Sequence, residues 1–147
     1  MKRGLLWLIL GLLLIPSFSL MLRPGIFTMH DPHLFRIYEY SKCLNDGIFP
    51  CRWAPDSGKG YGEPMFNFYA QAPYWITAFF HLIRFSLIDS IKAAFIISLA
   101  ASAGAMYLYS RRYWGNLGGL VSAVFYVYAP YRAVDVWVRG SDRKSVV

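Results

Sequence analysis

The chain has few charged residues, and this scarcity excludes an ordinary soluble domain. Of its 147 residues, 16% are charged, 56% are hydrophobic and 18% are aromatic, and the mean hydropathy is +0.36. The length suits one modest domain, and the composition indicates a membrane protein. The sequence contains no internal repeat, no low-complexity tract and no motif for binding RNA or DNA.

Acidic residues are scarcer than basic ones, and the excess of positive charge is local. The chain has 15 Lys and Arg against 8 Asp and Glu, a net charge of +7. Residues 23–71 contain five acids and five bases and are therefore neutral. The excess lies at Lys2-Arg3, at Arg111-Arg112 and in the C-terminal tail. Basic clusters beside apolar runs indicate membrane topology rather than nucleic-acid binding.

The chain has only two cysteines, Cys43 and Cys51. The pattern alone favours two unrelated free thiols. A small disulfide is the alternative if their loop lies outside the cell. The absence of a nearby pair of histidines argues against a zinc site.

The first apolar run, residues 4–22, follows two basic residues and has no charge. At 1.5 Å per residue it is just long enough to cross about 30 Å of hydrocarbon. A cleaved signal peptide is the alternative, because Ser17-Phe18-Ser19 resembles a cleavage site. Both interpretations place the amino terminus inside and residues from 23 onward outside.

Two further apolar runs predict membrane spans, over about 90–110 and 115–131. Residues 72–89 are ambiguous, because Arg84 would cost about 2.5–3.5 kcal/mol at the centre of a span. This segment either spans the membrane or lies on its outer interface as an amphipathic helix, and we adopt the second interpretation. The interfacial interpretation places Arg111-Arg112 in the cytoplasm, as the positive-inside rule expects. It leaves the basic C-terminal tail outside, which is contrary to that rule.

These observations predict an all-α integral membrane protein. We expect about three transmembrane helices and an external loop, residues 23–89, that contains juxtamembrane helices. Small residues between 93 and 105 would allow close helix packing.

The loop begins with His30-Asp31-Pro32-His33. Asp31 is typical of a helix N-cap, with Pro32 at the first helical position and Gly47 as the stop. The alternative is a general base at the membrane interface, where partial desolvation would raise the pKa of Asp31. Chemistry alone favours the cap. A metal site is a weaker hypothesis, because the helix start at Pro32 does not require the two histidines to converge.

A second group of charges, Arg132, Arg139, Arg143 and Lys144, follows the last apolar run. They are either solvated charges near phospholipid headgroups or a clamp for a lipid-linked phosphate, for which Arg offers a two-pronged donor.

Several segments occur in an order that resembles a known family. They are an apolar span after a basic amino terminus, then "HDPHLFRIYEYSKCLNDGIFPCRW", "GYGEPMFNFYAQAPYW", "YLYSRRYWG" and "YVYAPYRAVDVWVRG". This order resembles the start of the bacterial 6-pyruvoyl-tetrahydropterin-synthase-related membrane protein family, within the GT-C membrane glycosyltransferase superfamily. The resemblance covers residues 1–140 and only the amino-terminal part of that fold. Nothing resembles the soluble pterin enzyme or its zinc site.

The resemblance implies a function and a site. It implies transfer of a sugar from a polyprenyl-phosphate donor to a lipid or glycan acceptor, on the outer face of the bacterial plasma membrane. Asp31 would be the catalytic residue, and His33, Arg132 and Arg139 would bind substrate, the two arginines at the donor phosphate. It also implies that 72–89 is a juxtamembrane helix. By the same resemblance, Asp31 would assist the acceptor nucleophile or help hold a metal, and the cofactor is left open.

The chain departs from the family pattern after residue 140, where "SDRKSVV" follows. We expect residues 141–147 to be an atypical tail of a truncated or frameshifted product. Three spans cannot enclose the cavity that this chemistry needs, so we expect the fragment to be inactive alone. The alternative is a small non-catalytic three-span membrane protein that packs against a partner through residues 93–105.

Overall fold

A computed structural model describes residues 3–23 and 33–138 of the chain. The expectation of an all-α fold is confirmed for these residues, in which the sole β feature is an isolated bridge between Ala54 and Glu63. The α-helices are α1 (Arg3–Phe18), α2 (His33–Asn45), α3 (Met65–Phe68), α4 (Gln71–Leu82), α5 (Leu87–Val127) and α6 (Pro130–Ala133). Short 3-10 helices cover Ser19–Leu22 and Gly58–Gly60, and a π-helical turn covers Val134–Val138.

The described residues form two compact units. The first unit contains residues 3–23 and 95–138, and the second contains residues 33–94.

In the first unit, α5 reverses direction at Gly115. Trp114 and Gly115 have non-helical backbone angles, and φ of Gly115 is +67°, a value that favours glycine. A Cβ built on Gly119 would lie 3.0 Å from the carbonyl oxygen of Tyr107 and 3.1 Å from Cα of Arg111. Gly119 and Arg111 are eight residues apart, which corresponds to about 12 Å along a straight helix, so these contacts require a hairpin. The predicted break between the second and third apolar runs is therefore where the chain turns.

The two arms of this hairpin differ in length. The first arm, residues 87–113, is about 40 Å long, and the second, residues 116–127, is about 18 Å long. By length and composition, Leu87–Val127 is the one helix in the described part of the chain that can cross a membrane, and α1 is a shorter apolar helix. The second arm ends before Pro130, so its helix is shorter than the predicted segment 115–131.

Helix α1 runs antiparallel to the first arm. The rings of Trp7 and Tyr107 meet edge to face at 5.0 Å, and the hydroxyl of Tyr128 donates a hydrogen bond of 2.7 Å to the carbonyl oxygen of Leu13. The start of α1 and the turn at Gly115 therefore lie at the same end of this bundle. Its buried core consists of Leu10, Leu14, Met21, Leu99, Ala103, Tyr107, Ala123, Val127 and Val136.

The outer surface of the bundle is strongly apolar. Leu8, Leu12, Leu117 and Phe125 are 59%, 57%, 66% and 74% exposed. Water-facing positions of a soluble bundle carry polar side chains instead. Together with the candidate span, this surface indicates a membrane protein.

The second unit is built on α2 and α4. Tyr40, Phe66 and Tyr74 form its aromatic centre, in which Phe66 meets Tyr40 at 5.0 Å and Tyr74 at 5.6 Å, both edge to face. Helix α2 ends where predicted, at Gly47, which has a φ of +75°. The backbone N–H of Gly47 donates to the carbonyl oxygen of Leu44, as a helix-ending turn requires.

The ambiguous segment 72–89 is not one continuous helix. Helix α4 ends at Leu82, and Arg84 has a φ of +78°. Ser86 then caps α5, because its Oγ accepts from the N–H of Asp89 at 3.1 Å and donates to the Asp89 carboxylate at 2.7 Å. The break at Arg84 separates α4 from α5, so residues 72–89 do not form one span.

Candidate functional site

The structure places two of the four predicted site residues. Asp31 and Arg139 lie outside the described residues, so their roles stay predictions. His33 begins α2 in the second unit and is partly buried. Arg132 belongs to α6 in the first unit. The two described residues are therefore not brought together within one unit.

His33 is followed one helical turn later by Arg36, so both lie on the same side of α2. The guanidinium of Arg36 donates to the Tyr69 hydroxyl at 3.2 Å and lies 4.3 Å above the Tyr69 ring. Arg36 is largely buried, whereas Tyr69 is 37% exposed. This contact joins α2 to the segment between α3 and α4 and gives the His33 side of the helix a fixed cationic neighbour.

Arg132 is buried inside the first unit. Its Nη2 donates to Ser102 Oγ at 2.8 Å, and its guanidinium lies 4.8 Å from the centre of the Tyr126 ring. Asp135 follows on the π-helical turn and is fully buried. These contacts tie α6 to both arms of α5. A phosphate would have to compete with these contacts for the guanidinium group. Binding of the sugar donor's phosphate by Arg132 therefore stays a prediction.

Glu39, to which the sequence assigns no role, is fully buried on α2. Its Oε2 accepts a 3.0 Å hydrogen bond from the N–H of Asp56, and its buried Oε1 has no hydrogen-bond partner among the described residues. Burial raises the pKa of Glu39 above its ordinary 4.5, the N–H of Asp56 offsets part of the rise, and the charge of Asp56 adds to it. No signal in the sequence separates Glu39 from the exposed acids of this loop.

Asp56 also pairs with Lys42 on the surface of the same unit. Lys42 Nζ lies 2.7 Å from Asp56 Oδ2. This hydrogen bond lowers the pKa of Asp56 and raises the pKa of Lys42. Two neighbouring carboxyl groups with pKa values displaced in opposite directions are a pattern of acid–base sites. Here the Glu39 carboxyl group is buried and does not reach the surface. In this conformation, the contact between Glu39 and Asp56 holds the loop against α2.

A disulfide joins Cys43 to Cys51, with the Cα atoms 6.0 Å apart. The pattern-based preference for two free thiols was therefore wrong. Both half-cystines are buried, and the bond ties the end of α2 to the loop that carries Asp56. The two cysteines are eight positions apart, and the chain that follows the helix-ending Gly47 brings their side chains close enough to bond.

An exposed tryptophan lies on this loop. Ala54 and Glu63 form the antiparallel bridge, with N–H to O distances of 2.9 and 3.0 Å. The indole of Trp53 packs so closely on Gly62 that a Cβ at that position would collide with it. Trp53 is nevertheless 52% exposed. The loop therefore holds one aromatic surface in a fixed position facing solvent.

In the described part of the chain, no group of three or more His, Cys, Asp or Glu side chains could hold a metal ion. His30 and Asp31, which belong to the metal hypothesis of the sequence, lie outside it.

Comparison with family models, with curated proteins and with solved structures finds no match for the chain.

Proposed function

We propose that the chain is the amino-terminal part of a GT-C-type membrane glycosyltransferase. Such an enzyme would move a sugar from a polyprenyl-phosphate donor to a lipid or glycan acceptor at the outer membrane face. The observation that carries the proposal is the order of the parts. An apolar helix, α1, is followed by a disulfide-linked unit of short helices and then by the long apolar α5. This is the order expected from the resemblance in the sequence.

Three membrane spans are part of the proposal. They are residues 4–22, 90–110 and 115–131. Helix α1 and both arms of α5 share one buried core, and their outward surface is apolar. Such an apolar surface suits contact with lipid. The backbone N–H and C=O groups form hydrogen bonds within each helix, so they need no water.

We propose an interfacial position for α4. Its buried side consists of Tyr74, Thr77 and Ala78. Its exposed side is an apolar stripe at helical spacing, formed by Trp75, Ile76, Phe79, Leu82 and Ile83. A short helix with one buried side and one exposed apolar side fits the boundary between headgroups and acyl chains.

The proposed orientation places the amino terminus in the cytoplasm and residues 23–89 outside the plasma membrane. Arg111 and Arg112 lie beside the turn at Gly115, at the bundle end where α1 starts. This end carries Arg111 and Arg112, as expected of the cytoplasmic side, whereas Arg23 and Arg132 follow the opposite ends of α1 and of the second arm. The Cys43–Cys51 disulfide also supports an external loop, because disulfides persist in oxidising compartments.

In the proposed site, Asp31 acts as the base for the acceptor or positions it, and His33 contacts substrate. Arg132 and Arg139 bind the donor phosphate, for which a guanidinium provides paired N–H donors.

Because the fragment is expected to be inactive alone, the test is complementation of a strain that lacks the intact parent gene, of which this chain is the proposed amino-terminal part. The strain carries the wild-type gene, Asp31→Asn, or the matched control Asp46→Asn, which makes the same change at an exposed carboxylate of the same loop. We expect Asp31→Asn to abolish transfer at normal protein level, with the control at wild-type rate. Transfer by Asp31→Asn at the wild-type rate would refute the catalytic assignment.

A second candidate function is a non-catalytic protein that packs against a membrane partner. Ala100, Ala101 and Ala105 on the first arm of α5 are exposed, which would allow a further helix to approach closely. This alternative predicts a stable complex purified with the chain and no change in lipid-linked sugars upon deletion.

A further inference from the structure

A cleft of about 420 Å³ lies near the end of the first arm of α5, within the first unit. It is lined by Leu108, Tyr109, Arg111 and Arg112 and is open to the surface. Because this cleft is shallow and open, it suits a group that lies on the surface of the bundle and not an enclosed small molecule. Two adjacent arginines, one phenolic ring and one leucine provide charge and an apolar wall in the same place.

The positive charge of this cleft is not neutralised locally. Asp135 is the one acidic residue of the first unit in its described part, and it is fully buried. Neither Arg111 nor Arg112 forms an ion pair with any described residue. The guanidinium of Arg111 lies 5.7 Å from the centre of the Tyr107 ring, which limits where it can point. An anion is therefore the ligand that the cleft suits, and arginine binds phosphate through paired N–H groups.

The surroundings distinguish a lipid phosphate from a free one. Tyr109 is 60% exposed, and Tyr113 and Trp114 are each 67% exposed. Tyrosine and tryptophan are enriched where a membrane protein crosses the headgroup region. Leu108, which lines the cleft, is 45% exposed and lies one helical turn from Arg111, on the side away from the hairpin turn. A free phosphate would use none of these apolar groups, whereas a phospholipid would use both kinds.

We propose that this cleft binds the phosphate of an anionic phospholipid headgroup, with Leu108 contacting an acyl chain. The cleft lies at the bundle end where α1 starts and the hairpin turns. The bound lipid would fix the depth of this end in the membrane. The proposal does not depend on the glycosyltransferase assignment.

The test is native mass spectrometry of the full chain released from nanodiscs that contain equal amounts of phosphatidylglycerol and phosphatidylcholine with the same acyl chains. We expect the wild type to retain phosphatidylglycerol preferentially. Arg111→Gln with Arg112→Gln should reduce that preference roughly 30-fold, because each basic residue near an anionic surface contributes on the order of a fivefold gain. Arg111→Lys with Arg112→Lys should keep most of it.

The matched control is Arg52→Gln with Lys59→Gln, which removes the same charge from exposed positions of the other unit. It should keep the wild-type preference. Equal losses in the two Gln variants would show a net-charge effect and overturn the site, and so would equal retention of the two lipids by the wild type. Displacement of phosphatidylglycerol by excess inorganic phosphate would overturn the lipid assignment. Unchanged hydrogen exchange in α5 of the Gln variant would show that its fold persists.

Discussion

Reduction of the Cys43–Cys51 disulfide should destabilise the second unit by about 2.5 kcal/mol. The bond closes a loop with a sequence separation of 8. In the chain-entropy model, a loop of this length removes about 8 cal/mol/K from the unfolded chain, which is about 2.5 kcal/mol at 25 °C. Protection of α2 and α4 amides that exchange by opening of this unit should fall roughly 70-fold.

The assay is hydrogen exchange with mass spectrometry on the full chain in nanodiscs, with and without a thiol-free reductant. Peptides from α2 and α4 should exchange faster after reduction, and peptides from α1 should not change. A variant with Cys43→Ala and Cys51→Ala should exchange fast in both conditions and show no response to the reductant. A change of less than about threefold in α2 and α4 would refute the view that this bond stabilises the unit.

Three further changes test other contacts. Glu39→Gln should remove a pH dependence of stability. Because burial raises the folded-state pKa of Glu39, wild-type stability decreases as pH rises from 4.5 through the raised value. Hydrogen exchange of α2 amides, measured across this pH range, should detect the loss of stability only in the wild type. Ser102→Ala should destabilise the first unit by about 1.5–3 kcal/mol, because the buried Arg132 guanidinium loses the hydrogen bond from its Nη2 to Ser102 Oγ; a thermal melt of the full chain within error of wild type would contradict this. Gly62→Ala should displace the Trp53 indole and strain a residue with φ of +78°, so the ¹⁹F signal of fluorotryptophan at position 53 should move, whereas Gly60→Ala, with a similar φ but open space around it, should not move it.

Apolar runs and turn residues predict the helices of this chain well. Residues 4–22 are helical, the segment 90–110 lies within the first arm of α5, and the turn at Gly115 falls between the predicted second and third runs. Gly47 ends α2 as expected, because few other residues adopt its positive φ easily. These features depend on local chain chemistry, which the sequence contains directly.

Features that depend on long-range contacts were not predictable in the same way. Burial of Glu39 and pairing of Cys43 with Cys51 follow from how the loop packs on α2, and spacing does not reveal that packing. The buried contact of Arg132 with Ser102 joins residues that are 30 positions apart. The sequence presents this arginine as a charge after a span, and only the fold shows that its guanidinium lies inside the bundle.

The proposed enzyme transfers a sugar from a polyprenyl phosphate. The most direct test is mass spectrometry of the lipid extract from cells in which the intact parent gene is deleted. We expect one polyprenyl-phosphate sugar to accumulate and a glycan or lipid product to disappear, and we expect the intact parent gene to reverse both changes. A lipid extract identical to that of the parent strain would contradict this expectation.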